Sequence, residues 1–183
     1  MPDEIDGRGA ETSPPRELPD DGEGRILITV AWVGTSAYVL TAAVATASSS
    51  WQGPMIVVSL VLFVVGLLAF MAAYLIAIGR SRQDAIGMGG LYFLAGTAPR
   101  RVQRHLLGAV VVQTLTAVVT ASIGIASVQG DTSNPLAFGV LVPLFGLGLA
   151  GLWGARYGTF APRPADQPRP ARAPRQRPSE PPT

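Results

Sequence analysis

The sequence has no cysteine, no lysine, a single histidine and only 14% charged residues. Without cysteine there can be no disulfide, no thiolate metal site and no cysteine nucleophile. His105 on its own cannot hold a metal, which needs further His, Cys or carboxylate ligands at matching spacing. The nearest carboxylate in sequence outside the tails is Asp84, and no metal or cofactor site is expected. All 14 basic residues are arginine, the bias of a GC-rich genome. The net charge is only +2, too little for a nucleic-acid binding surface.

Soluble domains carry about 25% charged residues. The shortfall here lies in four stretches with no charge at all: residues 26–47, 54–78, 106–128 and 135–155. A hydrocarbon core of roughly 30 Å needs about 20 apolar residues of helix, and each stretch meets that length. The expected fold class is therefore an all-α membrane protein, with four transmembrane helices arranged as two hairpins and with disordered polar tails.

The segments divide as follows. Residues 1–24 carry eight acids and four prolines, cannot bury an apolar face and are expected to be disordered. Hairpin 1 covers 25–79, and its turn SSSWQG places Trp51 at headgroup level. The end of its first span, Ala45-Thr46-Ala47, resembles a signal-peptidase site. The acidic leader and the length of the apolar run favour a retained span over a signal core of about 7–15 residues. Residues 80–104 form a basic connector with Arg80, Arg82, Arg100, Arg101 and Arg104. Hairpin 2 covers 105–156, and 157–183 is a proline- and arginine-rich tail expected to be disordered.

Arginine distribution gives the expected orientation. The connector carries five arginines and the C-terminal tail six, counted from Arg156, while the two short turns carry none. The positive-inside rule then places both termini and the connector in the cytoplasm of a cell (inner) membrane. Arg100, Arg101 and Arg104 are expected to meet anionic lipid headgroups. Within the connector, DAIGMGGLYFLAGT is apolar but too short to cross, and its glycines disfavour helix. It reads as an interfacial loop resting on Tyr92 and Phe93, or as a re-entrant element.

Candidate sites follow from residue type and spacing. Residues 146–151 match G-x-G-x-x-G, but without the strand and acid that dinucleotide binding requires. Gly146, Gly148, Gly151 and Gly154 instead predict close helix packing. Gln113, Thr116 and Thr120 share one stripe on the third span and predict interhelical hydrogen bonds. Thr29 and Ser36 form a thinner stripe on the first. Pro143 is expected to kink the fourth span and leave the Gly139 carbonyl partly free. Trp153, Tyr157 and Phe160 are expected to anchor that span at the interface. The two hairpins share an order of elements, and Thr41–Ser48 echoes Thr116–Ser122, an arrangement a duplicated half would give.

Residues 136–163, LAFGVLVPLFGLGLAGLWGARYGTFAPR, together with Thr116–Ser122, resemble a group of uncharacterised four-span membrane proteins of actinobacteria. The resemblance implies an integral inner-membrane protein and carries no catalytic motif. Nothing in the sequence supplies a positioned base, nucleophile or metal cluster, and an enzyme is not expected. The expected role is a non-catalytic accessory or scaffold subunit of a membrane complex. Its contacts would be the glycine-rich face of the fourth span, the connector, the tails and the lipid bilayer. The alternative is a small transporter or channel component, working as a homo-oligomer that gathers Gln113 around an axis.

Overall fold

A computed structural model describes residues 24–81, 84–127 and 135–161. The expectations for residues 1–23 and 162–183 of the two tails, for Arg82 and for the second hairpin's turn lie outside these residues. Helix α1 is Arg25–Ala47, a 3₁₀ turn covers Ser49–Trp51, and α2 is Gln52–Arg80. The connector contains a five-residue helix, α3, Met88–Tyr92. Helix α4 is Arg100–Ser127, a 3₁₀ segment covers Pro135–Leu141, and α5 is Pro143–Tyr157. The protein is all-α, with four helical spans long and apolar enough to cross a membrane.

Helix α2 is longer than the sequence suggested, because Ser48 alone separates α1 from the 3₁₀ turn that leads into it. Helix α4 begins directly after Pro99, the start that the proline itself suggests, and this places Arg100, Arg101 and Arg104 in its first turns. The fourth span carries the largest correction. Pro143 does not kink a continuous α-helix but starts one, at the first helical position, where its missing N–H costs nothing. The preceding turn is 3₁₀, so the Val142 N–H reaches the Gly139 carbonyl at 3.0 Å and that carbonyl is not left free.

These spans are apolar all round, so hydrophobicity cannot choose which face turns inward. Residue size does. On α2 the buried positions are Met55, Ser59, Leu62, Gly66, Ala69, Ala73 and Ala77, a mostly small stripe at steps of three and four. Bulky Val61, Leu68 and Leu75 point outward, at 56%, 64% and 67% exposure. Helix α1 repeats the pattern with Ala31, Gly34, Thr35, Tyr38, Ala42 and Ala45 inside. Small residues let backbones approach closely where lipid provides no hydrophobic drive for helix association. Outward valine and leucine are what lipid would solvate.

The two hairpins are not separate units. Helix α5 is the hub: it packs most extensively on α2 and also on α4, whereas α1 leans on α4 more than on its hairpin partner α2. Corresponding helices of the two halves thus pair, α1 with α4 and α2 with α5. Gly24, at φ 74°, turns the chain into α1 directly against the Trp153 ring. Among the described residues, every charged side chain therefore gathers at one end of the bundle. Arg25 and Arg101 line one cleft there, and Arg80 reaches the end of α5. The opposite end holds Trp51, at 46% exposure.

Candidate functional site

Two polar constructions stand out from this apolar bundle, one in its interior and one at its charged end. In the interior, Gln113 of α4 is fully buried and donates from Nε2 to Thr35 Oγ1 of α1 at 2.7 Å. Thr35 in turn donates to the Ala31 carbonyl at 2.7 Å, so it offers the glutamine an oxygen lone pair. The expected interhelical role of Gln113 is realised, with a partner that the sequence stripe of Thr29 and Ser36 did not name; both of those are exposed. Thr120 bonds to carbonyls of its own helix, Thr116 and Ala117, and Thr116 is only half-buried. Thr120 thus spends its hydroxyl on i−4 and i−3 carbonyls, which a hydroxyl in a helix reaches without a partner on another helix.

Among the described residues, three buried polar atoms here have no hydrogen-bond partner: Gln113 Oε1, Tyr38 Oη and Ser59 Oγ. The Tyr38 hydroxyl lies beside Thr120 and over Gly139, where a Cβ would collide with it. Gly146 faces Val110 and the Gln113 amide across the α4–α5 contact. This seam is a set of packing contacts with unused acceptors, and an expected stability follows. Thr35→Val strands the buried Gln113 amide and should cost about 1–3 kcal/mol. Adding Gln113→Leu should recover most of that loss, since interhelical hydrogen bonds average only about 0.6 kcal/mol. Thermal unfolding of the single and double variants in detergent checks this; a double variant no better than Thr35→Val would refute it.

The glycine series is used entirely inside the molecule. Gly148 meets the Gly66 backbone of α2, Gly151 lies under the Tyr92 ring, and Gly154 meets the Leu91 carbonyl. Close packing is thus the role of all four glycines, and the expected availability of that face to a partner is corrected: α5 is the most buried span. The aromatic anchor is corrected too. Trp153 and Phe160 are buried at 1% and 6%, so they pack the charged end rather than its rim.

At the charged end Arg80, the last residue of α2, holds four groups. Nη1 donates to the Ala155 carbonyl at 2.7 Å; Nη2 donates to Asp84 Oδ2 at 3.1 Å and to the Gly158 carbonyl at 3.4 Å. The guanidinium also lies 5.5 Å from the Phe160 ring centre. A fixed planar fork suits this work, capping carbonyls at the negative end of the α5 dipole. Arg80 is therefore a clasp between α2, the connector and the end of α5, a role the sequence reading missed. The Arg80–Asp84 spacing of four was the one signal for it.

The clasp orders the connector. Ala85 N–H donates to the Ala161 carbonyl at 2.9 Å and Thr159 N–H to the Thr97 carbonyl at 3.0 Å. Residues 158–161, expected in the disordered tail, thus belong to the bundle. Tyr92 stacks on Phe70 with ring centres 4.3 Å apart, so it faces the core while Phe93 alone of the pair is exposed. Burial, and then the neighbouring Tyr74, push the Tyr92 phenol above its ordinary pKa, and its hydroxyl donates to the Phe70 carbonyl at 3.4 Å. Leu94 holds a left-handed conformation at φ 56° with its side chain fully buried. Burying a leucine contributes about 1.5–3 kcal/mol, enough to offset the roughly 1–2 kcal/mol that this backbone costs.

Compared with known proteins, the chain matches no family model, no curated protein and no solved structure. The residues themselves must carry any functional reading. Among those described, no group of three or more metal-ligating side chains comes together. Arg100, Arg101 and Arg104 are exposed on the first turns of α4, as a contact with headgroups requires.

Proposed function

We propose that this is a small polytopic protein of the cell (inner) membrane, with both termini cytoplasmic. Its role is that of a non-catalytic accessory or scaffold subunit in a membrane complex. The observation that carries this reading is the ordered connector. A loop needed only to join two spans would not be clasped by Arg80, bridged to residues 159 and 161 and seated on Phe70. Held in that way, it presents Met88 and Phe93 at 64% and 54% exposure. Tyr74, Ile78, Ile86 and Met88 line an apolar groove of about 140 Å³ beside it. A rigid platform with apolar side chains pointing away is suited to a partner, and its arginines are suited to anionic lipid. The actinobacterial four-span group is the proposed kinship.

The alternative, a transporter or channel component working as an oligomer, draws on Gln113 Oε1, a buried polar atom with no hydrogen-bond partner among the described residues. One set of experiments separates the readings. A photo-crosslinker at Met88 or Phe93 in intact membranes should give one stoichiometric heteromeric adduct that also co-purifies in mild detergent. Solute flux in reconstituted vesicles that disappears on Gln113→Leu would establish the alternative instead. Orientation has its own test, made clean by the lack of native thiols. An impermeant thiol reagent added outside should label Ser49→Cys and spare Ser81→Cys; the reverse pattern would invert the topology.

A further inference from the structure

The charged end holds a second construction, which Arg80 does not use. Arg25 at the start of α1 and Arg101 at the start of α4 face each other across a cleft of about 190 Å³, floored by Ile28 and Val102 and flanked by Thr29 and His105. Ile28, Thr29 and His105 also border a groove of about 620 Å³ that continues along the outer side of α1 past Trp32, Val33 and Ser36. The mouth is cationic and the lane below it is apolar.

Among the described residues nothing compensates the charges at the mouth. Among the described residues the one acid is Asp84, and it is bonded to Arg80. The side chains of Arg25, Arg101 and His105 are exposed and make no hydrogen bond or ion pair within the described residues. Neither helix carries an acid in its first turn, so cations stand at the positive ends of two helix dipoles. That arrangement is unfavourable until an anion lies between them. A phosphodiester fits, because a guanidinium fork bonds two of its oxygens at once.

We propose that cleft and groove together bind one anionic phospholipid. The Arg25 and Arg101 guanidiniums hold its phosphate, and one acyl chain lies along Ile28, Trp32 and Val33. The assignment rests on the membrane placement proposed above, since only then is the mouth at headgroup depth and the groove at chain depth. Charge complementarity selects an anionic headgroup, and the apolar lane selects a lipid over a soluble phosphate. Arg100 and Arg104 are exposed too but line neither cavity. They contribute only to the diffuse attraction that any juxtamembrane arginine has for anionic lipid.

The test is native mass spectrometry of the full-length protein released from detergent containing phosphatidylglycerol or phosphatidylcholine. One phosphatidylglycerol should remain bound, and Arg25→Gln with Arg101→Gln should weaken it on the order of tenfold or more. Arg100→Gln with Arg104→Gln should change it only about two- to threefold. Val33→Trp, which fills the lane without touching a charge, should also lower occupancy. Equal losses from both arginine pairs would reduce the site to diffuse electrostatics and overturn it. Competition by glycerol 3-phosphate would overturn the lipid assignment in favour of a soluble phosphate. Binding that appears only after removal of residues 1–23 would assign the cleft to the chain's own acidic segment. Release of the protein by alkaline carbonate would instead remove the membrane reading itself, so the two failures are distinguishable.

Discussion

Alanine at Gly148 is expected to lower the stability of the bundle by about 2 kcal/mol. The added Cβ would fall on the Gly66 carbonyl of α2, with the Phe70 nitrogen at 3.1 Å. Both obstacles are backbone, so no rotamer change relieves the clash. The two helices must separate along the most extensive contact in the molecule. Overpacking of this kind costs roughly 1–3 kcal/mol, while the gain in helix propensity returns at most about 1 kcal/mol. Gly66→Ala should behave alike, since its Cβ meets the Phe145 backbone in return. The double variant should cost less than the sum, because both changes force the same separation. Gly108→Ala on α4 is the control: nothing lies within 4 Å of its added carbon. It should be neutral or up to about 1 kcal/mol more stable. Unfolding in detergent ranks the variants, and Gly148→Ala matching Gly108→Ala would mean that α2 and α5 do not meet as described.

Arg80→Ala should be costlier still, on the order of 3 kcal/mol, and should act locally as well as globally. It removes the donors to Asp84 and to two carbonyls of the α5 end. Bonds to charged groups are worth about 1.5–3 kcal/mol each, reduced here because the Arg80 side chain is 27% exposed. The Asp84 side chain, at 10% exposure, would lose its 3.1 Å contact with the Arg80 guanidinium. Hydrogen exchange should therefore accelerate most at the Ala85 and Thr159 amides, whose bonds bridge the connector to residues 159 and 161. Arg80→Lys should recover only part of the loss, because an ammonium cannot fork to three separated acceptors. Unchanged protection at both amides in Arg80→Ala would show that the connector is ordered by something else. That result would also remove the main support for a docking platform.

Reading the sequence placed the first two apolar stretches within about two residues of their helices, whereas α4 starts at Arg100 ahead of the third stretch and the fourth divides into a 3₁₀ segment and α5. The lengths were legible because lipid tolerates no charge and no unbonded backbone over some 30 Å, a requirement met residue by residue along the chain. Errors concentrated where the outcome depended on neighbours. Pro143 looked like a kink because the 3₁₀ turn before it has no sequence signature in an apolar run. Trp153 and Phe160 looked like interfacial anchors because composition cannot say that Gly24, Gly90 and Gly158 open room for their rings. Gln113 was singled out correctly, but Thr35 could not be matched to it. A hydroxyl on a uniformly apolar helix gives no hint of its azimuth.

The residue order alone determined the all-α class, the four spans and the gathering of arginines beside them, since solvation acts on each stretch separately. Tertiary structure alone decided which helices touch, that the fourth span lies at the centre, and that Arg80 closes the charged end while Arg25 and Arg101 stay open. Those choices rest on shape. When every face of a helix is apolar, only the fit of small side chains against a distant backbone separates one pairing from another, and that fit exists only in three dimensions.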